Sequence, residues 1–186
     1  TDNTDEVIKS FNDKRIVYVK HKNNKGYLGT MNTGLDVAKG ELIIFFNDDD
    51  ELLPDAAETI VSKFAELSPK GIKILWFDCI DAETGKYSGS GIRKEGYVSY
   101  EDNLCNKICG DYFLAIDRRA IGNNRFNSAL WSRDTLWLKL YRDNKNFYIP
   151  KILAKAYRKH KQGRLSLPES SLKHISRVVL QDKVFL

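Results

Sequence analysis

Apolar residues along this chain fall into short runs separated by polar, glycine-bearing or proline-bearing turns, and the spacing within each run predicts its element. TDNTDEVIKSF reads as a helix start, with Asn3 as cap, Glu6 as its capping-box partner, and Val7, Ile8 and Phe11 as the first apolar positions. RIVYVKH (15–21) predicts a short buried strand. NNKGYLGTMNTGLDVAKG (23–40) predicts a helix of about three turns whose end Gly40 marks. ELIIFF (41–46) is fully apolar after its first residue and rich in isoleucine and phenylalanine, which fits a central parallel strand. Pro54 stands where a helix opens, DAAETIVSKFAEL (55–67) carries helical periodicity, and IKILWFD (72–78) predicts a third strand.

Strand, helix, strand, helix, strand is the order of an open α/β sheet with right-handed crossovers, and ligands of such sheets bind outside the carboxyl ends of the strands. Beyond about residue 80 the pattern loosens. DAETGKYSGSG is a turn-rich excursion, YEDNLCNKI is helical, and DYFLAIDRRAI is a strand turning into a short helix. DTLWLKLYRD predicts a helix, FYIPKILAKAYRKH two short strands interrupted at Pro150, and SSLKHISRVVLQDKVFL an amphipathic tail helix. No stretch is a long linker, so one domain is expected across 1–186.

Composition narrows the class. The 186 residues are 42% hydrophobic and 30% charged, the balance of an ordinary globular protein. No apolar run is long enough to span a bilayer, so a cytoplasmic location is expected. Three cysteines with no CxxC pair argue against a disulfide framework or a zinc site, and Cys105 and Cys109 are expected as plain thiols on one helical face. The net charge of +5 is unevenly spread: nine Lys/Arg lie between Lys139 and Arg164 against one acid, Asp143. That stretch suits phosphate groups or a membrane surface, or else forms a solvated basic face. No aromatic stacking pattern or reader motif accompanies it, so no nucleic-acid partner is expected.

The strongest chemical signal is NDDDELLP (47–54), three aspartates directly after a buried apolar run. Such carboxylates repel unless a cation sits between them, and oxygen ligands suit Mg²⁺ or Mn²⁺. The other reading is an acidic first turn for the helix after Pro54, favoured by the helix dipole. It explains Glu51 and Asp55 better than it explains the three aspartates.

TDNTDEVI, followed by NKGYLGTMNTGLDVAKGELIIFFNDDDELLP, resembles the nucleotide-sugar-binding half of the family-two inverting glycosyltransferases. The resemblance is close over roughly residues 1 to 54 and looser beyond. It implies a GT-A (Rossmann-like) α/β fold with a mixed, mostly parallel sheet flanked by helices. It divides the domain into a nucleotide-sugar-binding half (1–80), an acceptor-side half (81–165) and a C-terminal helix or tail (166–186). The implied function is metal-dependent, inverting transfer of a sugar from a nucleotide-sugar donor, UDP-sugar favoured, to a saccharide or lipid-linked acceptor. Cell-surface polysaccharide or lipopolysaccharide assembly is the implied setting, with Mg²⁺ or Mn²⁺ as cofactor and peripheral association at the inner face of the membrane.

Carried onto this sequence, the family's DxD triplet falls on Asn47, Asp48 and Asp49. Asn47 and Asp48 are thereby expected at the donor, and Asp49 and Asp50 at the metal. The general base falls on Asp134, three residues after Trp131 in ALWSRDTLWLKL; an aspartate there also suits simple helix capping. Arg133 stands where glutamate is frequent. YRKHKQGRLS offers Arg158, Lys161 and Arg164 to the diphosphate, with His160 as a metal or phosphate ligand. Asn24 and Asn32 fall in N-x-G positions, where they order the loop or face the nucleotide. Asp111 lies where the family lines the sugar pocket, or is a turn aspartate. The Q-x-x-R-W of processive synthases does not match, so single-sugar transfer is expected.

The resemblance also implies that the family's first strand-helix-strand is missing from this sequence. An apolar sheet edge would then be exposed, a surface for homodimerisation. The alternative function on that reading is a truncated, catalytically silent domain serving as a binding or assembly module.

Overall fold

The structure, a computed structural model, describes residues 3–128 and 135–158. In chain order its first elements are α1 (Thr4–Ser10), α2 (Gly26–Val37), β1 (Leu42–Ile43), β2 (Asp50–Leu52), α3 (Ala56–Leu67) and β3 (Ile72–Asp81). There follow β4 (Gly89–Ser90), β5 (Gly96–Val98), α4 (Tyr100–Leu104), β6 (Cys109–Gly110), β7 (Tyr112–Asp117), α5 (Arg118–Ile121), α6 (Thr135–Asp143) and β8 (Lys145–Ala156). Among the described residues no helix is long and apolar enough to cross a membrane. The tail helix expected over 170–186 lies outside the described residues.

The class is α/β, with helices over both faces of a mixed sheet ordered β1-β7-β3-β8-β2, as expected. Its central pair, β3 with β8, is parallel and runs from Ile72 beside Lys145 to Asp81 beside Ala156. The outer pairings are antiparallel. β8 carries two short strands on its other edge: β5 along Asn146–Tyr148 and β2 along Ala154–Ala156.

Alternation along β3 builds two cores, because successive side chains leave opposite faces. Ile74 and Trp76 join Leu28, Met31 and Leu35 of α2 and Leu136 and Leu140 of α6. Leu75, Phe77 and Cys79 join Ala56, Ile60 and Leu67 of α3. Burying a leucine- or phenylalanine-sized side chain contributes about 1.5–3 kcal/mol. α2 and α3 are therefore held by their apolar stripes rather than by caps.

Several expectations are corrected. The strand predicted over 15–21 does not form: Ile16, Val17, Tyr18 and Val19 are exposed, and no described strand pairs with them. A strand needs a neighbour for its backbone groups, and period alone does not supply one. Tyr18 and Lys20 instead donate to Asp5 of α1. Asn3 makes no capping side-chain bond. The strand predicted over 41–46 shrinks to two residues paired antiparallel with β7 at the sheet edge. Past it, Phe45 packs edge-on against Phe126 and Trp137, and Phe46 against Phe113. The two strands predicted around Pro150 are one: the register jumps from Phe77–Ile149 to Asp78–Ile152, a bulge that accommodates a residue with no N–H to donate. Cys105 and Cys109 do not share a helix face, since α4 ends at Leu104 and Cys109 lies in β6.

Candidate functional site

Parallel pairing of β3 and β8 puts Asp81 and Ala156 at one end of the sheet, and β2 folds back against that end with Asp50 opposite Ala156. The acidic stretch is therefore the entry to a three-residue edge strand, not the tip of a central one. Its turn is closed by Asn47, whose Nδ2 donates to Asp50 Oδ2 at 2.9 Å. The amide expected at the donor is thus engaged with Asp50 in this structure. Asp48 is exposed at the turn and Asp49 is half-buried.

Two distant segments reach the same place. Arg158, just past β8, donates from Nη2 to Asp111 Oδ2 at 2.5 Å and lies 3.9 Å from Asp81 Oδ2. Asp111 is set there by the backbone: its N–H donates to Ser88 O at 3.2 Å, and Gly110 before it adopts φ 84°. A Cβ on Gly110 would stand 2.3 Å from Ser88 O, so only glycine permits the approach.

The electrostatics join these segments. Burial pushes the Asp50 carboxyl up, and the neighbouring charges of Asp49 and Asp111 add to it against the hydrogen bond from Asn47. Burial also raises the Tyr27 hydroxyl, with Asp111 and Asp50 contributing, so the start of α2 feels the same field. The Cys79 thiol is pushed up to about 11, by burial first and then by Asp50 and Asp111, against opposing contributions from Ser88 and Arg158. Among the described residues, Asp49, Asp50, Asp81 and Asp111 outnumber the cations at this end of the sheet.

That surplus fits a divalent cation. Among the described residues no three His, Cys, Asp or Glu side chains form a complete metal cage. Asp49 and Asp50 offer two carboxylates, and Mg²⁺ commonly takes one or two, with substrate phosphate oxygens and waters filling the rest.

Asn24 and Asn32 have backbone partners of their own. Asn24 Oδ1 accepts from Gly26 N at 2.7 Å and shapes the turn into α2. Asn32 makes a two-way pair with the Phe126 backbone, at 2.9 and 2.8 Å. Both therefore order loops, one of the two readings open from the sequence. Asp134, His160, Lys161 and Arg164 lie outside the described residues. The basic stretch is largely paired where it is described: Lys139 and Arg142 with Asp143, Lys151 with Asp55, Lys155 with Glu51, and Arg158 with Asp111. It is no open positive stripe there.

Sequence reasoning passed over a polar group in the sheet itself. Asp78, 3% exposed, accepts from Tyr148 Oη at 2.7 Å and lies 3.5 Å from Arg93 Nη1. The available signal was an acid ending the apolar run of β3, since buried charges persist only when paired. Asp81 and Tyr157 also went unmarked; Tyr157 Oη donates at 2.7 Å to Glu51, which the sequence offered only as part of an acidic helix turn.

Comparison with known proteins gives the same architecture. A family model described as "Glycosyl transferase family 2" matches residues 1–129. The chain is 35% identical over 188 residues to the GalNAc(5)-diNAcBac-PP-undecaprenol beta-1,3-glucosyltransferase of Campylobacter jejuni subsp. jejuni serotype O:2. The match takes in 97% of this chain and 58% of that protein, so the chain spans little more than half of its curated relative. Among solved structures, Staphylococcus aureus TarS 1–349 superimposes with a TM-score of 0.70 at 16% identity, over 84% of this chain and 48% of TarS. The same protein in complex with UDP-GlcNAc gives a TM-score of 0.72 at 15% identity, over 97% of this chain and 54% of TarS. At those identities the likeness shows a shared fold.

Proposed function

The chain belongs to glycosyl transferase family 2, and from that premise we propose metal-dependent, inverting transfer of a sugar from a nucleotide-sugar donor to a lipid-linked saccharide acceptor in cell-surface glycan assembly. The observation that carries this reading is the meeting of Asp50, Asp111 and Arg158 at the carboxyl ends of β3 and β8, where α/β sheets bind their ligands. The relative's name specifies a lipid-linked acceptor and glucosyl transfer, and the TarS complex holds a UDP-sugar. The TarS complex favours a UDP-sugar here, and the relative favours a lipid-linked acceptor. A soluble donor and a lipid-linked acceptor meet at the cytoplasmic face of a membrane, where we place the reaction.

Inversion is a single displacement at the anomeric carbon. It needs a base on the acceptor hydroxyl and relief of charge on the departing diphosphate. We assign the base to Asp134. Asp49 and Asp50 would hold the Mg²⁺ or Mn²⁺, which supplies positive charge at the diphosphate when bound. Arg158, Lys161 and Arg164 add fixed positive charge on the leaving side, with His160 beside them. Asp111 accepts from sugar hydroxyls, and Asn47 and Asp48 border the nucleotide.

Calorimetric titration with UDP, with and without Mn²⁺, tests the site. Mn²⁺ should tighten UDP binding, and Asp49→Ala should abolish that gain, at least about tenfold for a lost charge-assisted contact. UDP binding that ignores Mn²⁺ would sink the metal reading. Asp134→Asn should bind UDP normally yet lower transfer from UDP-glucose by about 10²–10⁴-fold. Full transfer by that variant would remove Asp134 as the base.

A further inference from the structure

Residues 86–93 cross from the tip of β3 to β5, and their backbone is fastened on two sides. Towards β3, Lys86 O accepts from Asp81 N at 2.8 Å and Ser88 N donates to Cys79 O at 2.8 Å. Towards residues 107–111, β4 pairs with β6, and Ser88 O accepts from Asp111 N. The approach is backbone to backbone. A Cβ on Gly91, at φ 100°, would stand 1.9 Å from Lys107 O, and one on Gly89 would stand 2.5 Å from the Tyr112 ring. A displacement of this crossing has no slack in which to be absorbed, so it must move Asp111.

One side chain closes the crossing from behind. Arg93 donates to the carbonyls of Gly89 and Ile92, the latter at 2.6 Å, and lies 3.4 Å from Tyr112 Oη. Tyr112 Oη donates in turn to Ser90 O at 2.9 Å. The Arg93 guanidinium also sits 4.2 Å from the centroid of the Tyr87 ring. Its opposite charge is Asp78, buried in the sheet and held by Tyr148. A planar fork with five donors can satisfy loop carbonyls and a carboxylate at once; lysine cannot.

We propose that Arg93 is a positioning residue for sugar recognition: anchored on Asp78, it fixes the 86–93 crossing and through it the Asp111 carboxylate that meets the sugar of the donor. This rests on the donor site proposed above. Arg93 touches neither nucleotide nor sugar. Its loss therefore damages recognition of the sugar and spares recognition of UDP, a split that general destabilisation would not produce.

The test compares UDP with UDP-glucose, both in Mn²⁺, by calorimetry on the intact chain. Arg93→Gln should weaken UDP-glucose about tenfold, the loss of one charged hydrogen bond, while UDP stays within about twofold. Asp111→Asn should also weaken UDP-glucose, and adding Arg93→Gln to it should cost UDP-glucose nothing more. Equal losses for both ligands, no loss, or fully additive losses overturn the proposal. If Arg93→Gln does not fold, Tyr112→Phe should give the same split at about threefold, and its absence is equally decisive. Wild-type protein that binds neither ligand removes the donor reading and this one together. Wild-type protein that binds both, with an unsplit Arg93→Gln, removes this one alone.

Discussion

Two clusters of acids and bases occupy opposite ends of the same sheet, and they are built on opposite plans. At the Lys73 end, Asp117 is 1% exposed and fully engaged. Lys73 Nζ and Arg119 Nη2 each lie 2.8 Å from its Oδ2, and the Arg119 N–H donates to Oδ1 at 2.9 Å. Burial pushes this carboxyl up, but those hydrogen bonds outweigh it and hold it well below the usual carboxylate range. At the Asp81 end, Arg158 pairs with Asp81 and Asp111, while Asp50, beside Asp49, shifts the other way. A buried carboxylate held by its own partners is a clamp. Acids that outnumber the bases around them, as among the described residues at the Asp81 end, are the arrangement the proposed cation site would use.

Breaking the clamp should give the larger stability effect. Asp117→Ala removes two ion pairs and the side chain that caps α5, at about 3 kcal/mol, near the low end for a broken buried pair because Lys73 and Arg119 can turn to water. Urea unfolding should show a lower midpoint with an unchanged slope. The pH dependence follows from the sign of the shift. A carboxyl whose folded value is depressed contributes stability that is fully present above its unfolded value, about 3.9, and is lost as pH falls through the folded value. The gap between wild type and Asp117→Asn should hold from neutral pH to about 4 and shrink below it. A gap already closed at pH about 5 would contradict the clamp.

The difference between the clusters also explains what the sequence could reveal. NDDDELLP, Asp111 and Arg158 each stand out locally, because charges in turns beside apolar runs are visible without knowing what packs where. Their meeting is not visible, since it depends on β2, a three-residue strand of charged composition that only its pairing with β8 makes a strand. RIVYVKH fails for the converse reason: it has strand composition but no described neighbour. Asp117 and Asp78 escape notice because a single acid within an apolar strand reads as a break, and all their partners but Arg119, namely Lys73, Arg93 and Tyr148, are 15 to 70 residues away. Asn47, matched to a donor contact, turns back onto Asp50, a short-range bond that motif spacing does not encode.

The smallest effect is the sharpest test of the contrast. Asp50 is raised in the folded protein, so at neutral pH its charge costs stability instead of adding it. Asp50→Asn removes that charge and keeps an oxygen that can accept from Asn47. In EDTA the variant should melt slightly higher than wild type, by about 1–2 °C, since the group is partly exposed and screened. With Mn²⁺ and UDP the order should reverse, because ligands that bind the folded state stabilise in proportion to their affinity, and the variant has lost one carboxylate for the cation. Asp117→Ala lowers both curves alike, whereas Asp50→Asn should make them cross. A variant that melts below wild type in both conditions would mean that Asp50 is part of the fold's own stabilisation, and the contrast between the two ends of the sheet would fail there.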